Sequence, residues 1–169
     1  MLFMIRLHNA SYALILRAYS LLSGVVMSSP DQVLELVGGQ RTVQVPVKDA
    51  YDLIQLVRGG LPTQAVDTLL AQGHLTLAEL DRLVLPRKTL YHRRKLGRLT
   101  AEQSDRLLRV VRLLALAEET FGRRDKAHSW LRRSTSALAD ERPLDLLDTE
   151  EGTRAVETLL GRIAHGIAA

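Results

Sequence analysis

The 169-residue chain has no cysteine. Disulfides and thiolate metal sites are thereby excluded, and the chain suits a reducing cytoplasm. Aromatic residues make up only 4%, so any core must be aliphatic. The five histidines, His8, His74, His92, His128 and His165, include no i, i+4 pair, and their scatter speaks against a metal site. There is no P-loop, no GxGxxG and no nucleophile with a nearby base. The chain therefore reads as a non-enzyme that takes no cofactor. No apolar run approaches the roughly 20 residues that span a bilayer. Arg17 cuts short the run in "SYALIL", and no clean small-x-small cleavage site follows. Met27, opening "MSSPDQV", reads as the natural start, with residues 1–26 as an upstream extension; the other reading is an N-terminal helix packed on the body.

What is present is a chain 46% hydrophobic and 25% charged, the balance of a globular protein of one domain or two small ones. The net charge of +4 is spread unevenly. Arg82, Arg87, Lys88, Arg93, Arg94, Lys95 and Arg98 follow one another without an acid between them. Downstream, Asp140, Glu141, Asp145, Asp148, Glu150, Glu151 and Glu157 face only Arg142 and Arg154. Such a split implies two surfaces with different partners.

The spacing predicts an all-α fold. Residues 28–46 read as an extended arm, because Pro46 interrupts the alternating "TVQVPV". A helix then follows with Val47, Tyr51, Leu53, Ile54 and Val57 on one side, stopped by Gly59-Gly60. The next runs from Pro62 with Val66, Leu69 and Leu70 inward. Thr76 and Glu79 make a capping box, and Pro86 opens a further helix closed by Gly97. Thr100 with Gln103 caps the longest helix, whose apolar stripe is wide enough to imply cover on more than one side, a second subunit being one candidate for it. The last helix starts at Asp148 or Thr149 and turns Val156, Leu159, Leu160 and Ile163 inward.

Thr76 to Gly97 has the plan of a helix-turn-helix, whose second helix enters the major groove. Leu90 is the inward pivot; Lys88, Thr89, His92 and Arg93 fall on the groove side. Arg93 has the geometry to read a guanine, and Thr89 a base or a thymine methyl. Arg87, Arg94, Lys95 and Arg98 sit where phosphates are met, and Tyr91 suits packing or a phosphate contact. A solvated charged face is the plainer reading of the same run.

Two stretches together carry a family resemblance. "GLPTQAVDTLLAQGHLTLAELDRLVLPRKTLYHRRKLGRLTAEQSDRLLRV" is followed by a segment containing Ala127, Trp130-Leu131, Pro143-Leu144-Asp145-Leu146-Leu147, Thr149 with Gly152, Val156, Leu160 and His165-Gly166. From Leu61 to the end the chain resembles an Xre/MbcA/ParS-type antitoxin, and the resemblance does not reach residues 1–45. It implies an Xre-like helix-turn-helix bundle over residues 46–122 and a small helical toxin-binding domain over 123–169, after the N-terminal extension 1–45. It further implies a type II toxin–antitoxin pairing with a RES-domain toxin that consumes NAD. The antitoxin would cover the toxin's active site and repress its own operon by binding operator DNA, as a homodimer in the cytoplasm. Toxin contact is expected from Trp130, Leu144, Leu147, Arg154, Arg162, His165 and Gly166. Where the family often has Pro-Asn after Trp-Leu and a glycine before Pro-Leu-Asp-Leu-Leu, this chain has Ser134-Thr135 and Ala139-Asp140. Taken from the residues alone, Trp130 is by default a core anchor and Arg162 with His165 a C-terminal helix cap. The competing function is a stand-alone helix-turn-helix regulator whose C-terminal helices dimerise or bind another protein.

Overall fold

The computed structural model describes residues 30–166; the readings of residues 1–26 and of the last three residues lie outside it. Among the described residues the chain is all-α, with an isolated bridge between Pro62 and Arg98 and no strand. The helices are α1 (Pro30–Leu36), α2 (Gly39–Val43), α3 (Ala50–Gly59), α4 (Thr63–Ala71), α5 (Leu77–Leu83), α6 (Arg87–Leu96), α7 (Ala101–Phe121), α8 (Arg124–Leu131) and α9 (Glu150–Ala164), with 3-10 segments at Ser136–Leu138 and Pro143–Asp148. No described helix is long and apolar enough to cross a membrane.

α7 is the axis. Both halves of its capping box are made: the Gln103 N–H donates to Thr100 Oγ1 at 3.1 Å and the Thr100 N–H to Gln103 Oε1 at 3.0 Å. Leu107, Leu108, Val110, Val111, Leu113, Leu114, Leu116 and Ala117 are all buried. They are covered by α1, α3, α5, α8, α9 and the Pro143–Asp148 segment of the same chain. The wide stripe therefore needs no second subunit, and that candidate for its cover is corrected.

The N-terminal arm is corrected as well. Residues expected to be extended form α1 and α2, which bury Val33, Leu34, Leu36 and Val43. Pro46 does keep a strand from forming, but apolar side chains spaced three and four apart are buried more completely by a short helix lying on α7. On α3 the buried residues are Leu53 and Leu56, while Tyr51 and Ile54 are 65% and 43% exposed. The helix begins at Ala50, capped by Asp49, so Tyr51 stands about 200° around the axis from Leu53.

Short polar links fix the path between elements. The Leu61 N–H donates to the buried Ser104 Oγ at 2.8 Å, and the Leu99 N–H to the Leu61 carbonyl at 2.9 Å, tying the start of α4 to the start of α7. Gly60, at φ +82°, is required here: a Cβ would lie 2.3 Å from the Leu99 carbonyl oxygen. Gly152 is required for a different reason, since a Cβ there would meet the Leu146 carbonyl oxygen at 2.1 Å. Before the Pro143 segment, both Ala139 and Asp140 adopt left-handed φ, 54° and 63°, the region that favours glycine. The loop closes on itself all the same, through Asp140 N–H to the Thr135 carbonyl at 3.1 Å.

Arg132, at the end of α8, joins that helix to the start of α5. Its guanidinium donates to both Glu79 carboxylate oxygens, at 2.8 and 2.9 Å, and to the His74 carbonyl at 3.1 Å. Glu79 simultaneously caps α5, accepting from the Thr76 N–H at 2.8 Å. A second pair, Arg82 with Asp145, joins α5 to the Pro143–Asp148 segment. Burial alone would raise the Glu79 carboxyl; the hydrogen bonds from Arg132 and Thr76 outweigh it and hold the group below the usual carboxylate range.

Replacing Arg132 with Ala is expected to lower unfolding stability by about 1–3 kcal/mol in urea denaturation, because it strands a half-buried carboxylate. Since the folded Glu79 value is depressed, its contribution is present above the ordinary value of 4.5 and is lost as pH falls below it. A stability profile from pH 7 to pH 3 should show this acid-side loss reduced in Glu79→Gln.

Candidate nucleic-acid interface and partner surface

α5, the Val84–Pro86 break and α6 follow one another in the helix–break–helix order expected of a helix-turn-helix. α5 starts at the Thr76–Glu79 capping box and buries Leu80 and Leu83. Val84 and Leu85 are buried in the break, and Leu90 is the buried residue of α6, 2% exposed. The Arg87 N–H donates to Asp81 Oδ1 at 2.7 Å, fixing how α6 leaves the turn. Pro86 stands at the N-cap position, one residue before the helix begins.

With Leu90 inward, the outward crest consists of Lys88, Tyr91, His92, Lys95 and Leu96, all exposed. Tyr91 is 65% exposed and carries the Lys95 ammonium 4.6 Å from its ring centroid, a cation–π contact that holds both side chains on the surface. Thr89 and Arg93 are half-buried. Arg93 lies about 60° around the helix from Leu90, and its Nε is buried without a hydrogen-bond partner. It flanks the outward face rather than crowning it. Arg94 and Arg98 are engaged within the chain: Arg94 Nε donates to Asp67 on α4 at 3.1 Å, and Arg98 to the Gly60 carbonyl at 2.9 Å. Two of the residues assigned to phosphates thus also brace the scaffold.

The C-terminal half divides its residues differently from the sequence expectation. Leu144 and Leu147 are 1% and 2% exposed, core residues that seat the Pro143–Asp148 segment and are corrected as surface contacts. Trp130 is half-buried with its ring 5.5 Å from that of Phe121, the packing role. Arg154, Thr158 and Arg162, each four residues apart, line one stripe of α9. With Leu138 and Glu151 they bound a shallow groove of about 400 Å³. Arg154 is also paired with Glu150 at 3.0 Å. His165 and Gly166 are exposed just past the end of α9, the Gly166 backbone at φ +66°. The sequence reading named Arg154 and Arg162 but missed Thr158 and Leu138. The i, i+4, i+8 spacing on α9 was the available signal for Thr158; nothing local marks Leu138, which arrives from the preceding 3-10 turn.

Histidines scattered in the sequence meet in space. His74, in the turn before α5, and His128, on α8, lie with ring centroids 5.6 Å apart, both beside Glu118 of α7.

The chain matches the model of the antitoxin Xre-like helix-turn-helix domain over residues 52–112 and that of the antitoxin Xre/MbcA/ParS C-terminal toxin-binding domain over residues 116–166. It is similar to Antitoxin Xre of Photorhabdus laumondii, 35% identical over 130 residues, covering 75% of this chain and 88% of that protein. It is 31% identical to Antitoxin Xre of Yersinia enterocolitica over the same shares of each. Antitoxin Xre of Pseudomonas putida is 37% identical over 117 residues, covering 69% of this chain and 73% of that protein.

The burial difference separates two kinds of variant. Leu144→Ala is expected to cost about 2–5 kcal/mol of stability through the cavity it leaves, whereas Arg162→Ala, at the surface, should cost under about 1 kcal/mol. Thermal unfolding of both variants checks this.

Proposed function

The chain belongs to the Xre family of antitoxins, and we propose that it neutralises a RES-domain toxin that consumes NAD, by laying its C-terminal domain over the toxin's active site. The family is not enzymatic; it joins a helix-turn-helix to a toxin-binding domain. What carries the finer reading is the stripe Arg154–Thr158–Arg162 beside the exposed end at His165 and Gly166. A cationic ridge with guanidinium groups suits a pocket built to receive the phosphates of a dinucleotide. NAD is then the toxin's substrate and not a cofactor of this chain.

The second half of the proposal is autorepression. Lys88 in the first turn of α6 and His92 one turn further on face a major groove and read base edges. Arg87, Lys95 and Tyr91 meet the backbone, with Arg94 and Arg98 at the margin of the contact. Helix-turn-helix proteins bind paired half-sites as two-fold dimers, so the DNA-bound form is a homodimer, its contact made outside the already covered face of α7. Residues 46–122 act as the DNA-binding unit and residues 123–169 as the toxin-binding unit, in the cytoplasm where operator and toxin are both found.

Co-expression of this chain with a RES-domain toxin sought in the neighbouring reading frame should restore growth and cellular NAD. Arg154→Ala with Arg162→Ala should lose that rescue while the purified variant stays folded. Continued toxicity in the presence of the unaltered chain sinks the neutralisation half. On a labelled fragment of its own promoter, Lys95→Ala should weaken binding evenly across sequences and lower the salt slope by about 1. Lys88→Ala with His92→Ala should cost about 1–3 kcal/mol per lost base contact. Unchanged operator affinity in that double variant would remove α6 as the reading helix.

A further inference from the structure

The His74, Glu118 and His128 cluster plays no part in the functions above. Its three members come from three elements: the α4–α5 turn, the last third of α7, and α8. Glu118 Oε1 lies 3.3 Å from His74 Nδ1 and 3.1 Å from His128 Nε2. All three candidate donor atoms fall within 4.8 Å of one another. Ligands held about 2.0–2.1 Å from a tetrahedral zinc ion are roughly 3.3 Å apart, so little movement is needed to share one ion.

The hydrogen bonding of His74 sharpens the point. The residue is 4% exposed. Its Nε2 faces Gln72 Oε1 at 3.2 Å, a contact that needs the ring proton on Nε2. Nδ1 is then a lone pair, buried, without a hydrogen-bond partner and aimed at a carboxylate oxygen. In that tautomer two acceptors face each other at 3.3 Å, an arrangement relieved by a proton or by a cation between them. A ligating histidine also characteristically donates its other ring N–H to an outer partner, and Gln72 is that partner here.

We propose that His74 Nδ1, His128 Nε2 and the Glu118 carboxylate form a binding site for one divalent transition-metal ion of the zinc class, with water as the fourth ligand. Glu118 also lines a cleft of about 390 Å³ together with Gln72, Ala115 and Glu119, a route of entry for a hydrated ion. Burial, with Arg132 and Arg124 nearby, holds His128 down at about 4, and burial followed by Arg124 lowers His74. The Arg124 guanidinium, bonded to the Gln72 carbonyl, opposes a cation and sets the affinity below that of a thiolate-rich site. The ion ties the turn ahead of the helix-turn-helix to α8 of the toxin-binding half, beside the Arg132 clasp.

The full-length protein, stripped with a chelator, is titrated with zinc chloride by calorimetry and with cobalt(II) chloride by visible absorption. The expected result is one ion per chain, the strong absorption of four-coordinate cobalt, and a raised melting temperature with zinc. Glu118→Gln and His128→Gln, at half-buried positions, should each weaken zinc by more than the roughly 10–100-fold that losing an outer-shell partner costs. Absence of saturable binding by the unaltered chain overturns the proposal and means that the three groups share a proton. Unchanged affinity in both variants overturns it too, by placing the ion elsewhere; the cobalt spectrum of the unaltered chain decides the matter even if a variant fails to fold.

Discussion

One guanidinium pins the two working surfaces to each other above the aliphatic core they share. Arg132 reaches from the end of α8 to the first turn of α5, where Glu79 accepts it with both oxygens. Glu79 has already been fixed by the capping box, so the residue that starts the helix-turn-helix is also the residue that receives the C-terminal half. The side chains of Arg132 and Glu79 are 30% and 15% exposed, dry enough for the pair to matter more than a surface bridge. A lysine could not replace this arginine, because only the planar fork can serve two carboxylate oxygens and a carbonyl together. The Arg82–Asp145 pair repeats the connection one turn further along α5, with less shelter from solvent.

Much of this was legible in the sequence wherever the determining contacts are local. Both capping boxes, the inward Leu90, the long apolar α7 and the Thr149 start of α9 depend on residues within a turn or two of each other. The same holds for Gly152, whose crowding by the Leu146 carbonyl follows from the tight entry into α9. What could not be read were choices settled by distant partners. Val33 and Leu34 become helical because α7 offers them a surface, and Val43 sits on the short helix that packs on α1 and α4. Leu144 and Leu147 belong to the family motif for reasons of packing, and a motif does not say whether its leucines face in or out. Arg94 and Arg98 look like any other basic residue until Asp67 and the Gly60 carbonyl are placed beside them. His74 and His128 are far apart in sequence and have no spacing that signals their meeting.

The uneven charge of the chain has a physical rationale in this arrangement. The basic crest of α6 is kept free of carboxylates, so its field is not cancelled locally and can attract phosphates over about a Debye length. The acids of the C-terminal half do other work. Glu150 and Glu151 sit in the first turn of α9, where the helix dipole favours them, and Glu150 also orients Arg154. Asp145 is spent on Arg82. Asp145, Glu150 and Glu151, three of the seven acids of this half, thus serve to position arginines.

That division bears on how a toxin on α9 could influence DNA binding by α6. α7 is buried along its length and shared by the cover of both halves, and Arg132 and Arg82 fasten α5 to the C-terminal elements. Turning α6 relative to α9 would require breaking these ion pairs and shearing a continuous aliphatic core, whose close packing resists small displacements. A bound toxin has cheaper ways to act. It can change how many helix-turn-helix units are held together, and hence the avidity for paired half-sites, or it can bring its own charge and bulk near the duplex. On the proposed surfaces, communication between toxin and DNA runs through assembly and geometry, because the core and its ion pairs hold α6 in one orientation relative to α9.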